Sequence, residues 1–353
     1  MTATETTART IDERGGASRR RAHREARGRS IDDHLGPRQG RFFGDGFKRI
    51  GHRVTEVEMR RRDGHEYVSA KAGLAYPGDW SRKAAGPLRP HLSSVDALAL
   101  AVQLAESFLI HRYGLDPEQR RAMWLRSFDM RSGTTPQEDL TRFDVRALRV
   151  SCAPAVVVRH GHVSKFVCLV GTLTLTCEIE HDVTRRPMVD GAYPNLTAIL
   201  GPAERRYYGG GYRLRSQLIE DVRVHPAAVE GDVSLADPPE ALDLGLGGAY
   251  QPTPSMIDAL VSLAQLAQVM AYRLDGIARS ESNTLWMRRL AQTAARPAAP
   301  SSGPFAGRVE PRRSRRVRLA GALWRTLDVD AELAGIQVRS SIAHQLPSET
   351  KGA

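Results

Sequence analysis

Residues 90–105 read Pro-His-Leu-Ser-Ser-Val-Asp-Ala-Leu-Ala-Leu-Ala-Val-Gln-Leu-Ala, and residues 252–267 read Pro-Thr-Pro-Ser-Met-Ile-Asp-Ala-Leu-Val-Ser-Leu-Ala-Gln-Leu-Ala. Pro90, Asp96, Ala97, Leu98, Gln103, Leu104 and Ala105 recur as Pro252, Asp258, Ala259, Leu260, Gln265, Leu266 and Ala267, at an offset of 258 − 96 = 162. Each stretch opens with a serine suited to an N-cap (Ser93 or Ser94; Ser255), and Pro254 suits a helix entry. Helices are expected over 93–112 and 255–274. Both are apolar almost all round, through Val95, Leu98, Leu100, Val102, Leu104, Phe108 and Ile110, and through Ile257, Leu260, Val261, Leu263, Leu266 and Met270. A helix of that kind is buried rather than laid on a surface.

The repeat extends outward. Leu35-Gly36-Pro37 recurs as Leu200-Gly201-Pro202. Six residues after each Leu stands Arg-aromatic-aromatic-Gly-x-Gly-aromatic: Arg41-Phe42-Phe43-Gly44-Asp45-Gly46-Phe47 and Arg206-Tyr207-Tyr208-Gly209-Gly210-Gly211-Tyr212, offset 206 − 41 = 165. Trp124 and Arg126 recur as Trp286 and Arg288. Two halves follow, 31–190 and 191–349. In each, the turn precedes strand-like sequence (53–59 and 67–76; 217–224), and further strand-like runs follow the helix (147–158 and 163–180 about a turn at 159–162; 317–342). Residues 293–316, rich in Ala, Pro, Ser and Gly and then Arg, read as a flexible basic insertion. One buried helix followed by antiparallel strands, done twice, predicts an α+β chain. It would be a tandem hot-dog, each half an antiparallel sheet wrapped around one long helix, forming within one chain the dimer that single copies would make.

The chain of 353 residues is 41% hydrophobic and 26% charged, with three cysteines, Cys152, Cys168 and Cys177. This is a globular composition that excludes a disulfide scaffold and fits a reducing cytoplasm. No uninterrupted apolar run approaches membrane-spanning length. Of the net charge of +11, residues 1–30 carry 8 − 4 = +4 and residues 305–318 carry 6 − 1 = +5. The first segment reads as a disordered basic tail. The second could dock an acidic acyl carrier protein. No nucleic-acid motif accompanies the charge, so nucleic acid is not an expected partner.

Asp96 and Asp258 fall in the first helical turn, where an acid is favoured by the unpaired N–H groups. Gln103 and Gln265 follow seven residues later, on the same helix face with only about 20° of drift. Two polar groups on one face of a greasy helix must find partners or line a wet pocket. The glycines of the aromatic turns suit positive φ, with Asp45 or Tyr208 near a substrate mouth as the functional alternative. The Gly-x-Gly spacing is not a dinucleotide fingerprint. Cys152, His160, His162, Cys168, Cys177 and His181 match no zinc spacing, so neither metal nor cofactor is expected.

The helix starts resemble those of hot-dog dehydratases and thioesterases, in which the acid at the helix start faces the reacting thioester. Those dehydratases carry a catalytic His about eight residues before the helix-start Pro. Here those positions are Arg82 and Leu244, and His91 and His65 stand off pattern. Over about residues 30–345 the chain resembles the avirulence D (AvrD) family, through Ser30-Ile31-Asp32-Asp33-x-Leu35-Gly36-Pro37 and the two aromatic turns. That resemblance implies synthesis of syringolide-type acyl-sugar lactones. A β-ketoacyl chain would pass from an acyl carrier protein or acyl-CoA to a sugar or small polyol, as the A-factor synthase family does in butenolide formation. The expected base is Asp258, with Asp96 second, and Gln265, Gln103, His91, Tyr208 and Asp45 are candidate substrate contacts. Two other functions stay open, a dehydratase or thioesterase on carrier-bound chains and a non-catalytic ligand-binding module. A second copy of the chain is an allowed partner.

Overall fold

The structure is a computed structural model. It describes residues 29–347 apart from 80–81, 84–85, 88, 134, 156–160, 238–241, 283–284, 300 and 302. The basic tail expected over 1–30 therefore lies almost wholly outside the described residues, as does His160.

In chain order the helices are α1 (Ile31–Leu35), α2 (Ser94–Tyr113), α3 (Pro117–Ala122), α4 (Thr197–Leu200) and α5 (Met256–Asp275). The strands are β1 (Gly51–Arg62), β2 (His65–Ala75), β3 (Trp124–Arg131), β4 (Phe143–Pro154), β5 (His162–Val170), β6 (Leu173–His181), β7 (Gly191–Asn195), β8 (Ser216–Val224), β9 (Val229–Ala236), β10 (Leu285–Thr293), β11 (Phe305–Leu319), β12 (Ala322–Leu333) and β13 (Ile336–Gln345). They form one antiparallel sheet in the order β8-β9-β11-β12-β13-β10-β3-β6-β5-β4-β2-β1-β7.

The two twenty-residue helices sit where the repeat places them. Ser93 and Ser255 cap them in capping boxes closed by Asp96 and Asp258, and Gly114 and Gly276 end them in the left-handed conformation. The sheet curls around both. α2 packs on β2, β4, β5 and β6, and α5 packs on β8, β9, β11, β12 and β13. Leu98, Leu100, Leu104, Leu260 and Leu266 are at most 2% exposed. Each fully buried side chain of that size contributes about 1.5–3 kcal/mol. Helix α2 is long and apolar enough to cross a membrane by length and composition, but 89% of that window is buried inside the protein.

The duplication reaches the backbone irregularities. Glu56 and Asp221 (221 − 56 = 165) both have positive φ, 55° and 48°, at bulges in β1 and β8. Register shifts at Leu125/Ser127 in β3 and Arg149/Ser151 in β4 recur at Met287/Arg289 in β10 and Pro311/Arg313 in β11. Bulges are retained features of a fold rather than accidents. At the seam, Asp129 on β3 faces Ala291 on β10, its own counterpart (291 − 129 = 162), flanked by Ser127–Thr293 and Arg131–Arg289. That is the self-complementary pairing of a two-fold interface. Phe47 and Tyr212, also counterparts (212 − 47 = 165), stack with centroids 6.2 Å apart.

Three local expectations are corrected. First, most of the segment 305–316, expected to be flexible, belongs to β11. Gly307 and Val309 face α5, and β9 and β12 flank the strand's start; Arg308, Arg312, Arg313 and Arg315 are exposed, whereas Arg316 reaches Asp275 at the end of α5. Second, the run over 163–180 breaks at Gly171 (φ 56°) into β5 and β6. Third, the aromatic-turn glycines do not need positive φ. They are required by close backbone approach, since a Cβ on Gly44 would stand 2.2 Å from the Arg38 carbonyl oxygen, and one on Gly209 2.7 Å from that of Ala203.

The leading segments of the two halves are exchanged. α1 packs on α5, and Arg29 pairs with Val222 in β8. Reciprocally, α4 packs on α2, and β7 pairs with β1.

Candidate functional site

The two helix N-termini carry the same acid in different company. On α2, Asp96 is fully buried and its Oδ1 lies 2.8 Å from Nε2 of His52, near the start of β1. Its Oδ2 accepts the Ser93 hydroxyl at 2.6 Å, the Tyr76 hydroxyl at 2.9 Å and the Ser93 N–H at 3.3 Å. Tyr76 follows β2, and its hydroxyl also reaches the His91 carbonyl at 2.7 Å. Burial would raise the Asp96 carboxyl, but hydrogen bonds and charge from His52, with Ser93 and Tyr76, hold it below the usual carboxylate range. With the proton of the shared bond on Nε2, the neutral form of His52 has Nδ1 as its lone-pair acceptor. Nδ1 is buried and has no hydrogen-bond partner among the described residues. The Tyr212 ring, from the second half's turn, lies 6.4 Å from the imidazole, and its hydroxyl is likewise unpartnered.

On α5, Asp258 is also fully buried, but Arg215 Nη1 sits 3.0 Å from Oδ2 and Gln217 Nε2 donates to Oδ1 at 2.8 Å. The Ser255 N–H supplies a further bond at 2.9 Å. The Arg215 guanidinium is raised: burial acts against its charge, but Asp258, Tyr207 and Asp237 outweigh it. Asp258, expected as the base, is therefore held in a buried ion pair. The Tyr208 hydroxyl is pushed up chiefly by burial, and it bonds the Met256 backbone and Ser255 at the first turn of α5. Its first-half counterpart is Phe43, which has no hydroxyl.

Of the remaining expected residues, Gln103 and Gln265 are buried and each donates to the carbonyl four residues back, Ala99 at 3.2 Å and Val261 at 3.0 Å. His91 stacks on Trp286 at 5.3 Å and approaches neither acid with its ring. Asp45 is paired with Arg38 at 2.8 Å and Lys48 at 3.1 Å within its own turn. His181 takes Ser164 Oγ at 2.7 Å, and Cys168 and Cys177 are small core residues.

His52 was missed because it follows no local motif. It stands 96 − 52 = 44 residues before its partner, on a strand. One signal was available: the 165-residue offset aligns His52 with Gln217 and Ile50 with Arg215. In a duplicated chain, chemically unlike residues at matched positions mark where the halves have diverged.

The fold and the paired helix termini define a tandem hot-dog protein. A family model of the Pseudomonas avirulence D protein (AvrD) matches residues 27–347, and the chain belongs to that family. No curated protein matches the chain. Among solved structures, it is similar to acyl-CoA thioesterase II TesB2 from Mycobacterium marinum (11% identity, TM-score 0.35, covering 82% of this chain and 96% of that one). It is also similar to a conserved protein with a hot dog fold from Alicyclobacillus acidocaldarius (9%, 0.34, 87% and 99%). A third is the pyran synthase domain from module nine of the sorangicin pathway (12%, 0.34, 84% and 98%).

Proposed function

We propose that the chain is an acyl-transfer enzyme whose working centre is His52 in the first half. The acyl chain comes from a carrier protein or CoA thioester, the acceptor is a sugar or small polyol, and the product is a syringolide- or butenolide-type lipid. The observation that carries the reading is the His52–Asp96 pair. Asp96 orients the imidazole, Nδ1 takes the proton from the attacking hydroxyl, and collapse of the oxyanion breaks the C–S bond and expels the carrier or CoA thiolate, which takes that proton back. The first-turn N–H groups of Ser94 and Val95 would steady the thioester oxyanion, as helix N-terminal donors do. Asp96 is then a positioning residue, and Asp258 a structural one. The exposed arginines of β11, Arg312, Arg313 and Arg315, offer a cationic face to an acidic carrier protein.

The test is lipid mass spectrometry of a host producing the wild type, His52→Gln, Asp96→Asn and Asp258→Asn. His52→Gln installs in the first half the residue that the second half carries as Gln217. The reading expects product loss with the first two variants and retention with Asp258→Asn. Unchanged product with His52→Gln would overturn it. Because the same imidazole could activate water, release of free acid in place of a new ester would instead identify a thioesterase.

A further inference from the structure

Arg41 and Arg206 occupy the same place in the two aromatic turns and are 3% and 2% exposed. Their surroundings differ. Arg206 faces α2, with Nη1 3.8 Å from Glu106 Oε2 and Nη2 3.4 Å from Gln103 Oε1. The α5 positions matching Gln103 and Glu106 are Gln265 and Gln268 (268 − 106 = 162), so at these positions the core helix offers Arg41 no carboxylate. Arg41 bonds through Nη2 to Asp32, which is 43% exposed. Its Nε and Nη1 are buried with no hydrogen-bond partner among the described residues. The same two atoms of Arg206 also lack hydrogen bonds, but there the charge has a buried counter-ion in Glu106.

A cavity of about 190 Å3 lies beside Arg41, lined also by Arg38, Asp32, Gln217, Gln265 and Glu220. Gln217, 6% exposed, spends its amide N–H on Asp258, and its carbonyl oxygen Oε1 is buried and unpartnered. The residues that line the cavity therefore carry two orphaned guanidinium donors and one orphaned acceptor. Leaving buried groups of this kind unsatisfied costs about 1–3 kcal/mol each, more when the group is charged, and in native proteins such groups usually have a partner. An oxyanion suits a guanidinium edge better than water does, because the bonds are charge-assisted and can be bidentate. The acceptor requires an O–H or N–H on the same ligand.

We infer that this cavity is a binding site for a small hydroxylated oxyanion, its phosphate or carboxylate on Arg41 and its hydroxyl donating to Gln217. The site lies where the first half's leading segment packs on the second half and does not include His52, so its fate is separate from that of the proposed reaction.

Isothermal titration calorimetry of the full chain tests it with glycerol 3-phosphate, glycerate, inorganic phosphate and glycerol. At least one of the two hydroxylated anions is expected to bind saturably, more tightly than inorganic phosphate, while glycerol does not bind. The tighter of the two identifies phosphate or carboxylate as the group recognised. Arg41→Lys, which keeps charge but removes the planar fork, should weaken binding by about tenfold or more. Arg38→Ala, on the rim, should weaken it by about threefold and keeps the test readable if Arg41→Lys does not fold. His52→Gln should bind as the wild type does. Absence of saturable binding below about 10 mM would mean that water alone fills the cavity, and the inference would fail. Equal affinity in the wild type, Arg41→Lys and Arg38→Ala would also overturn it.

Discussion

The two helix N-termini are a controlled comparison within one chain. Both begin with a capping serine and an acid three residues on, and both acids are fully buried. On α5 the acid meets Arg215 and Gln217, and Tyr208 covers the first turn. On α2 it meets the imidazole of His52, and the positions matching Arg215 and Tyr208 are Ile50 and Phe43. One end is saturated with permanent partners, and the other keeps a group that can exchange a proton. A duplicated fold can divide labour in this way because the capping role alone satisfies the helix. What the acid touches next is then free to vary.

The largest effect expected from breaking this contrast is kinetic. His52→Gln should lower product formation by about 10²–10⁴-fold while moving the thermal midpoint little, measured by single-turnover assay and calorimetry. A matching loss on Gln217→His would point to the wrong half. Next is the buried pair. Arg215→Leu leaves Asp258 charged and uncompensated, and should cost about 3–5 kcal/mol in urea unfolding. The double variant Arg215→Leu/Asp258→Leu should recover much of that loss. No recovery in the double variant would show that Arg215 acts through packing alone.

A smaller effect should follow acid. Burial pushes His181 down to about 4 from 6.5. Because the folded value lies below the unfolded one, the unfolded chain takes up the proton first. Stability is full above pH 6.5 and declines as pH falls toward 4, by on the order of 3 kcal/mol. His181→Gln should flatten that part of the stability–pH curve. An unchanged slope would assign it to other groups. The smallest effect concerns the bulge shared by β1 and β8. Arg142 pairs with Glu56 at 2.8 Å with both side chains more than half exposed. Arg142→Ala should therefore change stability by under about 1 kcal/mol.

Much of the fold was readable because it rests on local signals. The apolar runs of α2 and α5, their capping serines and the repeated Arg-aromatic-Gly turns are each written within twenty residues, and their recurrence at 162 and 165 marked the duplication. The flexible reading of 305–316 failed because a Gly- and Arg-rich run looks like a solvated loop until flanking strands pair with it. The site was half legible. The acids stood out by position, whereas their partners lie 43 and 44 residues away, on or just before strands whose register no local pattern specifies.

The chain's own order of residues thus determined that there would be two greasy helices, each started by a serine and an acid, inside two curled sheets, since helix periodicity and capping act over a few neighbouring residues. Tertiary structure alone decided which acid would meet His52 and which would meet Arg215. It also decided that the leading segments would cross to the opposite half, leaving Arg41 beside a cavity and Arg206 beside Glu106. Those pairings depend on strand register, bulges and the two-fold seam, which exist only once distant segments have closed on one another.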